Sequence, residues 1–339
     1  KAWAVFGPVM GVGAILGPVV GGLILDADVF GTGWRMIFLV NLPIGLAVLA
    51  AARRHLPDVA PTARGTRLDL PGAAIAAAGT VLLIVPLVQG HELGWPLWTF
   101  AALAAAVPVF AVFARRQLRL ARTGRTPLVE PSIFTQRSYV AGVAFAVVFL
   151  ASMSAIFTVG VMLQIGLGYT PMQSSLTMAP WAGGALVGSA VAGMTMARMG
   201  RRLLHIGLAL IGVGVVGLAV AYQLAGVELG FSALALPLLV GGIGMGMIFV
   251  PMFDIILTGV GERETGSASG ALGALEQLGM TLGVAVLGTV FFSVLGPVPT
   301  PEAALHAGTV TALASLALVV TAFVLAFAMP RKARAAAHG

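Results

Sequence analysis

The chain has 339 residues, of which 59% are hydrophobic and only 9% charged, with a mean hydropathy of +1.02; ordinary soluble domains carry roughly a quarter charged residues, so lipid rather than water is the solvent for most of these side chains. Cysteine is absent, which excludes disulfides and thiolate metal sites. The formal charge of +7 would suit a nucleic-acid partner only if the basic residues were gathered on a soluble face.

Apolar segments of membrane-spanning length fall at 2–25, 36–52, 70–90, 95–114, 139–165, 175–197, 203–224, 231–257, 266–294 and 305–329. These predict ten helices, because the segments are continuously apolar rather than alternating as barrel strands do. Alternate crossing puts every basic residue except Arg35 on one face, which the positive-inside rule makes cytoplasmic along with both chain ends. The basic balance is therefore topology, and nucleic-acid binding is excluded.

The first span contains GVGAILGPVVGG, residues 11–22. In water each glycine costs a helix about 1 kcal/mol and the proline about 3 kcal/mol. In a membrane, Gly13, Gly17 and Gly21 at a spacing of four give one face that a neighbouring backbone approaches closely, and Pro18 bends the helix beside it. The spacing predicts a tight, kinked contact. The second span, in WRMIFLVNLPIG (34–45), holds Asn41 near Pro43, a polar group that either satisfies a helix kink or meets a ligand.

Two longer polar segments follow on the cytoplasmic side, 53–69 and 115–138. The second opens with ARRQLRLARTGR, which reads either as an ordinary inside-positive loop or as an amphipathic helix lying on anionic lipid. In the next span Gln164 repeats the choice posed by Asn41, beside Gly166. The loop GMTMARMGRR, 193–202, supplies Gly193, Arg198, Gly200, Arg201 and Arg202. Ionisable residues inside a span are functional candidates by default, and two qualify: Asp254, about a turn from the cytoplasmic end of its span, and Glu276, about ten residues into its own. Asp254 serves either proton transfer and gating or interface anchoring, and Gln277 is placed to hydrogen-bond across helices or to substrate. Methionines 153, 162, 172, 178, 194, 196, 245, 247 and 252 supply adaptable apolar surface.

Other chemistries find no support. Histidines 55, 91, 205, 306 and 338 have no metal-ligand spacing, no nucleophile has a companion base, and the glycine-rich GGIGMG (241–246) lies inside a span, where a nucleotide loop has no context. No cofactor and no enzymatic activity are expected. The apolar sequence begins directly after Lys1, without a secretory signal, so the chain reads as a piece of a longer protein.

Gly13-x-x-x-Gly17-Pro18-x-x-Gly21-Gly22 resembles the antiporter motif on the fifth helix of the major facilitator superfamily. WRMIFLVNLPIG is similar to the WRWIFLINLPIG hallmark of its fourteen-helix drug:proton antiporter branch. MLQIGLGYTPMQSSLTMAP (162–180) and GSASGALGALEQLGMTLGVAVLG (266–288) resemble two further segments of that branch, and residues 193–202 resemble its cytoplasmic G-x-x-x-D-R-x-G-R-(R/K) loop, with Ala197 where the aspartate would stand.

The resemblance implies an all-α integral membrane protein of the major-facilitator fold, with helices five to fourteen present. Residues 1–52 would be the last two helices of the N-terminal half, 53–69 a cytoplasmic linker, 70–114 an inserted central pair, 115–138 a basic cytoplasmic linker, 139–329 the C-terminal six-helix half and 330–339 a cytoplasmic tail. It further implies multidrug efflux in exchange for protons by alternating access, in the plasma (inner) membrane, with small apolar or cationic compounds, protons and lipid as partners and no obligatory oligomer. A non-transporting membrane remnant or scaffold, and an exporter of one metabolite or siderophore, remain as alternatives. Internal symmetry makes helix 266–294 the mirror of helix 2–25, with Gly266, Gly270, Gly273, Gly279 and Gly283 as its small-residue face.

Overall fold

The fold was analysed in a computed structural model. It describes residues 17, 20–24, 27, 31–55, 69–90, 93–257, 260–261 and 264–330, and every described regular element is helical. Most of the first expected span therefore lies outside the described residues, as do residues 56–68 and the tail from 331.

Helix α1 (Arg35–Leu39) and helix α2 (Asn41–His55) together cover the second expected span. They are interrupted at Val40, and the Asn41 side chain donates from Nδ2 to the Ile37 carbonyl at 3.1 Å, which satisfies a backbone acceptor at the break. Helices α3 (Leu70–Gln89) and α4 (Leu97–Arg122) form an antiparallel pair. Helix α4 runs well past residue 114, so the arginine-rich segment is neither a loop nor a separate surface helix but the last turns of a spanning one. Its 26 residues reach about 39 Å, beyond a hydrocarbon core of about 30 Å, and these turns project to headgroup depth.

The next span is broken twice. Helix α5 (Arg137–Met153) stops at Ser154, α6 (Ala155–Val161) resumes, and Met162–Gly166 widens into a π turn in which Leu167 N–H donates to the Met162 carbonyl at 3.1 Å. Helices α7 (Pro171–Met199), α8 (Arg202–Ala225), α9 (Phe231–Ile256), α10 (Thr265–Leu295) and α11 (Pro301–Ala326) complete the chain. Helix α7 starts four residues earlier than its apolar pattern suggests. Thr170 Oγ1 accepts from Gln173 N–H at 3.2 Å while Gln173 Oε1 accepts from Thr170 N–H at 3.0 Å, a reciprocal cap that fixes the start where hydropathy is still low.

Eight described helical segments are long and apolar enough to cross a membrane, against ten expected. The first expected span is mostly outside the described residues. Helix α7 has 29 residues, yet Gln173, Ser174, Ser175, Thr177, Pro180 and several glycines dilute its apolar character. Its length is ample; its low apolarity reflects the backbone contacts it makes.

Those contacts centre on α9, which packs between α7 and α8. A Cβ added at Gly242 would strike the Trp181 carbonyl oxygen, and one at Gly246 would strike that of Ala185. From the other side, a Cβ at Gly184 would meet Leu239 O and one at Gly188 would meet Ile243 O. Toward α8, a Cβ at Gly214 would stand 2.8 Å from Pro237 O, and one at Gly207 would stand 2.7 Å from Gly244 O. GGIGMG is thus a packing device, in which missing side chains let three backbones touch. Around it lies one cluster with Phe145, Phe149, Leu208, Ile248 and Met252 near the arginine-bearing end. A second cluster, with Met162, Leu163, Leu234, Phe291 and Leu305, lies nearer the other.

Replacing Gly246 with leucine forces side-chain atoms into backbone, where overpacking costs about 1–3 kcal/mol or more. The expected outcome is a lowered unfolding temperature and loss of the monodisperse peak in detergent. Gly270→Leu, at a position with nothing within 4 Å, should leave both unchanged.

Candidate functional site

The seam between α10 and α5 holds the residue with the clearest chemical tension. At one end Tyr139 Oη donates to the Ala268 carbonyl at 2.8 Å, and further along Ser154 Oγ donates to the Met280 carbonyl at 2.9 Å. Along the same seam the helices close on Gly279 and Gly283, whose added Cβ atoms would meet the backbone of Val147 and Ala151. Glu276 lies one turn before Gly279. It is half-buried, and its Oε1 is shielded from solvent with no hydrogen-bond partner among the described residues. Hydrocarbon cannot solvate a carboxylate, so such an oxygen is costly to keep.

Gln277 is exposed, turned away from that shielded position, and Asp254 is half-buried in the last turn of α9. Gln164 is exposed within the π turn, a helical irregularity that recurs at functional sites. Asn41 is occupied in its own kink. No hydrogen bond joins Glu276, Gln277, Gln164 and Asn41 to one another. Among the described residues, these candidates belong to separate helices: α2, the π turn, α9 and α10.

The glycine faces are also divided. On α10, Gly266, Gly270 and Gly273 have nothing within 4 Å, and only Gly279 and Gly283 make the close approach. Gly13 and Pro18 lie outside the described residues. Gly17 and Gly21 have nothing within 4 Å among the described residues. Gly22 makes a contact that is described: a Cβ there would stand 3.4 Å from Met172 Cα, on α7. Register alone could not reveal this, since it says which residues share a face and not which face meets a neighbour.

Residues 193–199, expected within a loop, are the last turns of α7, because the helix runs on until Gly200 ends it with a φ of +49°. Arg201 then donates from Nη1 to the Phe327 carbonyl at 2.6 Å and to that of Met329 at 2.8 Å, capping the end of α11. Arg198 and Arg202 are exposed, and Gly193 is exposed with no neighbour within 4 Å. One arginine of the three anchors another helix, while two point to the surroundings.

Two features escape sequence reasoning. The first is an open groove of about 730 Å³ lined by Tyr169, Gln173, Leu176, Thr177, Pro180 and Phe231, where α7 and α9 begin. Tyr169 Oη ties its rim to the Leu229 carbonyl at 2.9 Å. The second is a polar cluster at the base of the α3–α4 pair. Asp69 Oδ1 accepts from Arg116 Nη2 at 2.6 Å, from Arg116 Nε at 2.9 Å and from Gly72 N–H at 3.0 Å, and Oδ2 accepts from Gln117 Nε2 at 3.0 Å. Only the D-L-P-G helix-start pattern at 69–72 signalled any of this; the partners lie 47 and 48 residues away. The Arg116 guanidinium holds the Asp69 carboxyl down to about 2 against the opposing effect of burial, with the Gly72 N–H and the Gln117 amide adding to it.

A lipid-exposed helical bundle joined through glycine seams, with a shielded carboxylate in one of them, is a multi-pass membrane protein. The Major Facilitator Superfamily profile matches residues 1–284, and the chain belongs to that superfamily. It is a plasma-membrane protein of a transporter family and not an enzyme. It is 42% identical over 299 residues to the "Probable actinorhodin transporter" of Streptomyces coelicolor, covering 87% of this chain and 51% of that protein. Identity is 29% to "Multidrug resistance protein Stp" of Mycobacterium tuberculosis, over 89% of this chain and 54% of the relative. It is also 29% to the "Tetracenomycin C resistance and export protein" of Streptomyces glaucescens, over 88% and 54%. The chain spans about half the length of these curated relatives.

Because the Asp69 carboxyl is depressed on folding, its stabilising contribution is complete above the ordinary value of 3.8 and is lost as pH falls toward about 2. Asp69→Asn should therefore lower the unfolding temperature at neutral pH, and the gap to the native protein should close progressively below about pH 4. Thermal unfolding in detergent across that range checks it.

Proposed function

We propose that the protein to which this chain belongs exports small apolar or cationic compounds across the plasma membrane in exchange for protons, by alternating access. The observation that carries the reading is the chain-long similarity to proteins named for antibiotic transport, multidrug resistance and export. Residues 139–329 serve in it as the C-terminal half, 70–114 as an inserted pair between halves, and the residues before 53 as the end of the other half.

Glu276 is the proton-responsive group of this part of the protein. Its shielded oxygen lies in the seam between α5 and α10, and protonation removes the cost of holding a charge in hydrocarbon. Gln277, on the exposed side of the same turn, and Gln164 in the π turn are offered to substrate. Asp254 serves proton movement or gating near the arginine-bearing end. Asn41 is assigned to the helix break, whose carbonyl it satisfies. At the junction of α7 and α8, with Ala197 in place of an aspartate, Arg201 restrains the inner end of α11, and Arg198 and Arg202 anchor at the lipid surface. Gly22 serves as a point of close approach toward α7, and the spacing of Gly13, Gly17, Pro18 and Gly21 suits a packing face of the same helix.

A narrower reading, export of a single metabolite, is favoured by the higher identity to the relative named for one compound than to the one named for multidrug resistance.

The test is uptake of ethidium into inverted vesicles from cells expressing the protein, under an imposed pH gradient. Gradient-dependent uptake is expected, and Glu276→Gln should lower it by about tenfold or more, a change of about 1.4 kcal/mol in the limiting barrier. Uptake that ignores the gradient would remove proton exchange, and full uptake by Glu276→Gln would remove this residue from the proton path. Gradient-driven uptake of one endogenous metabolite but not of ethidium would select the narrower reading.

A further inference from the structure

The base of the α3–α4 pair carries far more polar structure than a helix hairpin needs. Asp69 begins α3, and Arg116 and Gln117 stand near the end of α4, so their bonds close the open end of the hairpin. Asp69 and Gln117 are 8% and 3% exposed. The cradle is shaped for them: a Cβ at Gly72 would overlap the Asp69 carboxylate and come within 2.9 Å of Gln117 Nε2.

Gln117 also has a second set of partners. Its Oε1 accepts from Leu128 N–H at 2.7 Å and Val129 N–H at 3.2 Å, in the segment leading to α5. The next residue continues the route, because Glu130 N–H donates to Ser267 Oγ at 2.8 Å, in the first turn of α10. Ser132 Oγ donates to Glu264 Oε1 at 2.5 Å, and Ile133 is fully buried beneath them. Helix α3 itself packs on α10. In contrast, helix α2 buries none of its residues.

We propose that the α3–α4 hairpin is clamped through Asp69, Gln117 and Ser267 to the start of α10, and so moves with the Arg137–Ala326 bundle as one body instead of acting as a flexible spacer. The clamp stands on its bonds alone; its consequence, that rocking occurs between the hairpin and α2, rests on the transport reading above.

This chain has no cysteine, so spin labels can be introduced at chosen places. Val81 on α3, Val286 on α10 and Val48 on α2 are exposed positions for them. Pulsed electron spin resonance on the full protein in lipid nanodiscs reads the distances. The Val81–Val286 distribution should be narrow and identical at neutral and acid pH, with and without ethidium. Asp69→Asn combined with Gln117→Leu should about double its width, and Ser267→Ala, a milder change that tests the same route if the double variant fails to fold, should also broaden it. Arg119→Gln, an exposed neighbour, should not.

A width in Ser267→Ala and the double variant equal to that of the native protein would overturn the clamp. So would a Val81–Val286 distance that shifts between conditions while Val81–Val48 stays fixed. Since these readings need no transport, a protein that fails in the vesicle assay but keeps its clamp refutes only the transport reading.

Discussion

Close approach of helix backbones at α9 is the constraint on which the rest of the bundle depends. Lipid tails are as apolar as leucine, so burying hydrocarbon does little to hold one spanning helix against another. Attraction must come from dense backbone contact, and that contact needs glycine on both partners. Gly184 and Gly188 of α7, Gly207 and Gly214 of α8, and the glycines of 241–246 on α9 supply it. Helix α7 accepts a low hydropathy as the consequence, since the small and hydroxyl-bearing residues that permit contact are not apolar ones.

Polar side chains then fix what glycine allows. Tyr139 and Ser154 each donate from α5 to a carbonyl of α10, and Ser315 of α11 donates to the Ser152 carbonyl at 3.0 Å. In hydrocarbon a backbone carbonyl has no water to turn to, so such a bond sets where along the seam two helices meet. The Asp69 cluster follows the same logic at the membrane edge. A carboxylate with a bidentate guanidinium, an amide and a backbone N–H around it has its charge fully met by fixed partners. Glu276 is the contrast: it lies in the same seam as the hydroxyl ties but has an oxygen with no donor. Two carboxylates, one satisfied and one not, divide into a structural role and a proposed chemical one.

Membership of the major facilitator superfamily joins these observations to transport. The tight seams within α7–α9 and between α5 and α10 suit parts that move as rigid bodies, whereas α2, which buries none of its residues, is held by no such seam.

The sequence by itself determined the membrane class, the all-helical architecture, the family and most helix positions. Each of these is set locally, by runs of apolar residues matched to bilayer thickness and by short motifs such as WRMIFLVNLPIG. It also placed Glu276 within a spanning helix, because a carboxylate among apolar neighbours is visible without knowing its partners. Tertiary structure alone decided which glycines touch. Gly266 and Gly279 lie on the same helix, yet only the second meets a backbone, and GGIGMG joins three helices where the pattern suggested only an interior segment. It alone turned the arginine-rich 115–122 stretch into the end of α4 and paired Arg116 and Gln117 with Asp69. The physical reason is that these contacts join residues on different helices, far apart along the chain, and a side chain's partner in such a case is set by how whole helices pack, which no local pattern encodes.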